Sequence, residues 1–353
     1  MENVVEGTTR EIAAQIAHTV NQLPELLQAP DRARKVIARL PLLASVPALP
    51  CAEHERLLQQ YAFLASAYVH ADPDQPARRL PASIAQPFVT LAQQVDRPPI
   101  FSYANFVLAN WQRPTPKAEL CADQLETLNT FTGRPDEKWF ALIHVEVEAQ
   151  AAQALRGASE AMASSESGDI DSTQKGLRCI ADGLRGMVKT FRRMRSGCDP
   201  DVYYHQIRPY NFGFINVIFE GSAYGEAPQN LRGGSGAQSS VIPALVAALG
   251  IQHEATDLMV HLNAMQPYMP REHRAYIQRA GQSQIRAFVD QAQDASLTDV
   301  YNDCLRAVTG FRQLHMNYAK LYIFERGGAA GTGGTPFMDW LSKLIDETEA
   351  QYL

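Results

Sequence analysis

The sequence predicts an all-α protein. Two observations carry this: apolar residues recur at three- and four-residue steps through most of the 353 residues, and strand-type alternation is hard to find. Hydrophobic residues at 46% and charged residues at 20% are ordinary for a globular chain that buries a sizeable core.

Taken in order, residues 9–28 form a first amphipathic helix through Ile12, Ile16, Val20, Leu23 and Leu27. Pro30-Asp31 opens a second, and Pro41, Pro47 and Pro50 break the chain before a helix at about 52–70. Residues 71–87, rich in Pro and Asp, form a loop. Pro98-Pro99 stops the next helix and starts an aromatic-rich one from Ile100 to Trp111. Arg113-Pro114-Thr115-Pro116 is a stiff linker. A domain boundary falls between it and Gly133-Arg134-Pro135, which gives a small helical domain of 1–130 and a large one of 131–353.

A long helix follows from about Asp136 to Ser164, then an exposed Ser/Gly/Asp-rich loop from Ser164 to Ser172. The amphipathic helix 173–196 ends in Lys189, Arg192, Arg193 and Arg195, a solvated basic face. Residues 200–240 break the pattern. Asp201 to Asn211 is short and aromatic, and Gly221 to Gly236 is glycine-rich with little apolar periodicity; such a stretch is functional or disordered. Helices resume at about 238–250, 252–265, 270–293 and 297–325, and a glycine-rich loop at 327–335 precedes a last helix.

Composition excludes several classes of function. Net charge is −6 with no basic block, which speaks against nucleic acid as a main partner. The five cysteines are scattered without a CxxC, as in a reduced, cytoplasmic protein. No apolar run approaches the roughly 20 residues of a membrane span. There is no HExxH, and His253-Glu254 lacks a partner at zinc-site spacing. Whether the protein is a monomer or a homo-oligomer is open at this level.

Three constellations carry chemistry. Within Asn302–Tyr322, the residues Leu305, Val308, Phe311, His315, Tyr318 and Tyr322 share one helical face, with Arg312 one turn before the histidine. An imidazole on such a face is an axial haem ligand, an acid/base group or a hydrogen-bonded core histidine. His144 has Phe140 one turn before it and Glu148 one turn after, an orienting pair or a surface contact. Arg208 follows Tyr204 by one turn, which suits a carboxylate beside a ring or an ordinary ion pair. The two glycine-rich loops lack the GxxxxGK[ST] pattern and follow no predicted strand, yet each precedes a helix and brings backbone amides close to a ligand.

Several segments resemble the indoleamine 2,3-dioxygenase family, within the superfamily of histidine-ligated haem enzymes that includes tryptophan 2,3-dioxygenase. They are Pro98-Pro99-Ile100 with Val107–Trp111, Gly233-Gly234-Ser235 with Gln238-Ser239-Ser240, Tyr268-Met269-Pro270 with Glu272-His273-Arg274, Asp303-Cys304, Arg312–His315, and Gly331–Thr335. Each motif is weak alone; their joint order across residues 98–340 is specific.

The resemblance implies haem b, with His315 as proximal iron ligand and Arg312 paired to a propionate. It places Tyr103, Phe106, Phe140, Ala141, Tyr204, Arg208, Gly234, Ser235, Gly236 and Thr335 around an indole substrate, with the small domain supplying part of that distal pocket. Arg208 and Thr335 would take the substrate carboxylate, Ser235 would face the haem and the amino-acid part, and loop 327–335 would close over both. The implied reaction inserts both atoms of O2 across the indole C2–C3 bond of L-tryptophan or a relative, giving an N-formylkynurenine-type product. Counted without gaps from Phe131, His144 falls where indoleamine dioxygenases carry serine, whereas tryptophan dioxygenases have a distal histidine. A catalytic role follows for it, with the imidazole accepting from the indole N–H or bonding to O2. Phe106 and Ala141 also depart from the eukaryotic pattern. The alternatives are a haem monooxygenase or peroxygenase that hydroxylates an aromatic amino acid or indole, and a helical haem-binding protein without catalysis.

Overall fold

A computed structural model describes residues 2–44, 46, 51–327 and 337–353. Thr335 and all of the 327–335 loop except Gly327 therefore lie outside the described residues. The protein is all-α, with a few short strands. Five helices open the chain: α1 (Glu2–Asn21), α2 (Leu23–Leu26), α3 (Pro30–Ala38), α4 (Cys51–Val69) and α5 (Ala82–Gln94). The large helices that follow are α6 (Pro135–Ser167) and α7 (Ile170–Phe191), and then the short α8 (Pro200–Val202). After an irregular stretch come α9 (Val241–Ala248), α10 (Asp257–Met265), α11 (Arg271–Ala280), α12 (Ile285–Ala292), α13 (Ala295–Tyr322) and α14 (Phe337–Glu349).

The long pair α6 and α7 lies antiparallel at the centre, and α13 packs against α7. Their closeness is encoded by glycine. A Cβ on Gly157 would stand 2.5 Å from the Gly176 carbonyl oxygen and 2.7 Å from Cys179 Cβ, so no side chain fits at that crossing. The helix junction also corrects the expected loop at 164–172. Ser164 and Ser165 are buried inside α6, their hydroxyls donating to the carbonyls of Glu160 (2.8 Å) and Met162 (2.9 Å), which removes the cost of burying them. Only Gly168, at φ +78, and Asp169 separate the helices, and the Asp169 carboxylate accepts from the Ser172 N–H at 3.0 Å as the N-cap of α7.

Three further expectations need correction. The 71–87 loop is shorter than expected, because α5 starts at Ala82 and contains Pro87. Burial of Ile84, Phe88, Val89 and Leu91 on that helix outweighs the roughly 3 kcal/mol that an interior proline costs. The expected helix 100–111 is instead an extended entry, a π-helical turn at Ala104–Leu108 and strand β2 (Trp111–Gln112), which pairs with β3 (Glu126–Thr127). Asn105 redirects the backbone there, since its side-chain oxygen accepts from both the N–H (3.2 Å) and hydroxyl (2.8 Å) of Ser102. Lastly, a three-stranded sheet joins β1 (Arg79–Leu80), β4 (Phe214–Phe219) and β5 (Gln229–Leu231), with β1–β4 parallel and β4–β5 antiparallel. Loop Gly233–Ser240 thus does follow a strand. Alternation in β4 is spoiled by a bulge between Phe214 and Val217, where Asn216 sits at φ +54.

Buried apolar residues from Ile16 to Tyr322 form one continuous cluster. Residue 131 lies inside it: the Phe131 ring stacks on Phe63 (4.6 Å) and on Tyr210 (4.5 Å). Among the described residues no helix is long and apolar enough to cross a membrane.

Candidate functional site

A cavity of about 580 Å³ opens between α6, α7, α9, α10, α13 and α14, a volume typical of ligand pockets. Its walls are mainly apolar. From α6 it takes Phe140, His144, Val147 and Glu148, one stripe at helical spacing; from α13 it takes Phe311, Arg312, His315 and Tyr318. Phe191, at the end of α7, stands between the two imidazoles, its ring 5.4 Å from that of His144 and 6.5 Å from that of His315.

Both histidines are neutral. His144 Nδ1 is 2.7 Å from the Phe140 carbonyl oxygen. A carbonyl only accepts, so Nδ1 carries the proton and Nε2 is left as an acceptor. Burial, with a smaller push from the neighbouring His315 and against the hydrogen bond to Phe140, lowers the pKa of His144 to about 4. The expected His144–Glu148 pair does not form: the helix's own carbonyl orients this imidazole. Burial also holds the His315 pKa below its ordinary value, and no group among the described residues hydrogen-bonds to its ring.

Glu148 is held elsewhere. Its Oε1 accepts from the Tyr103 hydroxyl at 2.8 Å and the Ser239 hydroxyl at 2.7 Å, and burial raises its pKa. This joins α6 to the 103 turn and to the glycine loop. The buried Gln238 adds a second tie, since its Oε1 accepts from the Tyr103 N–H (2.9 Å) while its Nε2 donates to the Gly233 carbonyl (2.9 Å). Ser235 faces the cavity as the N-cap of the Gly236–Gln238 turn, its oxygen accepting from the Ala237 N–H at 3.3 Å. Gly236 closes over His315, where a Cβ would stand 3.6 Å from Nε2.

Of the thirteen residues singled out from sequence, the cavity brings together Tyr103, Phe106, Phe140, His144, Gly234, Ser235, Gly236, Arg312 and His315. It does not include Ala141, Tyr204 or Arg208. Ala141 is buried on the neighbouring face of α6. The π-helical turn Tyr203–Ile207 puts Tyr203 into the wall, stacked 4.5 Å from Phe140, and turns Tyr204 away. Arg208 is buried between rings, its guanidinium 5.1 Å from the Tyr204 ring and 4.9 Å from that of Phe212. Sequence reasoning missed Phe191, Tyr203, Gln238 and His261. The polar ones had no signal in spacing, whereas the tyrosine was hidden by the extra residue of the π turn.

The donor set suits the group that the resemblance implies. His315 is a neutral imidazole with no hydrogen-bond partner among the described residues, and it lines the mostly apolar cavity with Nε2 facing the backbone of Gly236. Arg312 supplies an independent sign. It is buried, yet its hydrogen-bond acceptors are the Leu344 carbonyl (2.7 Å), the Thr348 hydroxyl and His253 Nε2 (3.1 Å), all neutral. Burial pulls its pKa down to about 10, with Glu347 pulling the other way. Three of its five N–H groups are engaged, so two remain for an anion in the cavity. A buried guanidinium and a neutral imidazole on one helix, three residues apart, are residues that would hold a haem by its iron and a carboxylate.

A family model described as indoleamine 2,3-dioxygenase matches residues 8–328. Indoleamine 2,3-dioxygenase 1 of Mus musculus is 30% identical over 357 residues, covering 94% of this chain and 87% of the relative. An indoleamine 2,3-dioxygenase of Aspergillus candidus is 32% identical over 349 residues (90% of this chain, 86% of the relative). That of Saccharomyces cerevisiae is 30% identical over 394 residues (94% and 86%).

Proposed function

The chain belongs to the indoleamine 2,3-dioxygenase family, and from that premise we infer a haem-dependent oxidoreductase that opens the indole ring of L-tryptophan or a close relative at C2–C3 with O2. Haem b, bound through His315, would supply the oxygen chemistry. The observation that carries the reading is the pair of neutral imidazoles lining one cavity: His315, which has no hydrogen-bond partner among the described residues and would hold the haem iron, and His144, whose Nε2 is left as an acceptor for a substrate donor.

The protein's own part is orientation and exclusion of water. Tyr103, Phe106, Phe140 and Tyr203 form an aromatic wall, with Phe106 and Phe140 stacked at 5.9 Å. An indole slides against such a wall with its polar edge left to find a partner. His144 Nε2 accepts the indole N–H, because Nδ1 is already committed to Phe140. For the substrate carboxylate we propose Arg208, which does not line the cavity in this structure, so that the role requires a shift of the Tyr203–Ile207 turn. Its support is its position after the Tyr203 turn and its burial between two rings, which preorganises the fork. Ser235 offers its hydroxyl proton from the glycine loop, since its oxygen serves as the cap. Residues 1–130 contribute Tyr103 and Phe106 to this wall, which supports their assignment as a small domain completing the site. Cys121, Cys179, Cys198 and Cys304 are free thiols, in keeping with a reducing, cytoplasmic setting.

The test uses 18O2 with reduced, haem-loaded protein and L-tryptophan. Two labelled oxygens in one N-formylkynurenine-type product are expected, and none after His315→Ala. A single labelled oxygen in a hydroxylated indole, or no turnover with any indole, overturns the reading.

A further inference from the structure

The α14 side of the cavity carries a second nitrogen anchor that the family reading does not use. His261, on α10, is buried and lines the cavity, and its ring packs 5.3 Å from that of Trp340 on α14. Arg232, which follows β5, sits with Nη1 2.9 Å from His261 Nδ1. A guanidinium has only N–H groups to offer, so Nδ1 accepts and the ring proton is fixed on Nε2. That Nε2–H has no acceptor among the described residues.

Its placement relative to Arg312 is informative. Arg312 donates to the carbonyl of Leu344, four residues beyond Trp340 and so about 6 Å along the same helix. Two N–H-bearing groups therefore flank one stretch of α14. Among the described residues the one carboxylate lining the cavity, Glu148, bonds to Tyr103 and Ser239 instead. A ring ligand with two acids on one edge has a use for two such donors, and a single carboxylate needs only one.

We propose that His261, with its tautomer set by Arg232, receives the second propionate of the haem while Arg312 receives the first. The proposal rests on the haem reading above. An amino-acid carboxylate has the same chemistry, and the experiment separates the two sources.

The experiment follows haem loss from the holoprotein to excess apomyoglobin, and compares haem with its dimethyl ester in reconstituted protein. His261→Leu should speed haem loss about tenfold or more, the scale of one hydrogen bond to a charged group. His261→Gln, which keeps an N–H donor, should recover part of it, and Arg232→Met, which frees the tautomer, should fall between. With the dimethyl ester the differences among the variants should vanish. Haem loss within twofold of the parent in His261→Leu, or an equal effect with the ester, overturns the proposal. So does weakened L-tryptophan binding with haem retention unchanged, because the carboxylate is then the substrate's. If His261→Leu fails to fold, the ester comparison between His261→Gln and Arg232→Met decides in the same way. A parent protein with no Soret band would instead overturn the haem reading itself.

Discussion

The two walls of the cavity are built on different principles. The wall of α6, α7 and α13 is regular helix, and it places His144, Phe191 and His315 by periodicity and by backbones in direct contact. The wall of residues 100–111, 203–212 and 233–240 has two π-helical turns and a capped 3₁₀ turn. Side-chain bonds from Asn105, Glu148 and Gln238 fix its shape. The first wall is stiff because any change of volume meets backbone. The second is held by a few hydrogen bonds and can be reshaped. A family that keeps one oxygen chemistry while varying its indole has use for one wall of each kind.

The largest expected effect lies on the stiff wall. Gly157→Leu puts a side chain where even Cβ is 2.5 Å from the Gly176 oxygen, and overpacking of this kind costs about 3 kcal/mol. Urea unfolding should show it directly. Gly236→Ala, on the other wall, places Cβ at an ordinary 3.6 Å from His315 Nε2, and stability should move by less than about 0.5 kcal/mol. Equal losses at the two positions would erase the distinction between the walls.

An intermediate effect is expected where the walls are tied together. Glu148→Leu takes the acceptor from the hydroxyls of Tyr103 and Ser239, at about 1 kcal/mol for each donor, the low end of the range for a stranded group. Glu148→Gln keeps the accepting oxygen and should cost much less. The informative readout is kinetic. The leucine variant should retain its Soret band and raise KM for L-tryptophan several-fold, because the aromatic wall loosens while His315 is untouched. Loss of haem with KM unchanged would place Glu148 on the cofactor side instead.

The same contrast explains what the sequence made legible. Helical spacing alone located α6 and α13, and within them the stripes that carry Phe140, His144, Arg312 and His315. The resemblance then gave those stripes their roles. Tyr203 was lost to Tyr204 because a π turn inserts one residue into the count, a shift that no pattern at 3.6 residues reveals. Pro87 masked a helix whose burial outweighs it, and Asn216 masked a strand by breaking its alternation. Glu148 was read against His144, its neighbour on the helix, although its true partners come from residues 103 and 239. Contacts between segments distant in sequence decided each of these, and a single sequence read alone carries no record of them.

The smallest effect separates the walls by the sign of their proton linkage. His144 on the helical wall has its pKa lowered to about 4 by burial, against an ordinary 6.5. Below pH 6.5 the unfolded chain takes up a proton that the folded protein refuses. The stability from this group is thus complete above pH 6.5 and is lost as pH falls toward 4, with a slope of at most about 1.4 kcal/mol per pH unit. Glu148, tied to the irregular wall, runs the other way. Its pKa is raised by burial, so the fold holds a proton that the unfolded chain releases above pH 4.5, and its contribution fades as pH rises through that window. Denaturant titrations between pH 4 and 8 should therefore show His144→Phe flattening the rise of stability with pH and Glu148→Gln steepening it. If both substitutions shift the slope in one direction, the two groups share a single environment and the cavity has one wall, not two.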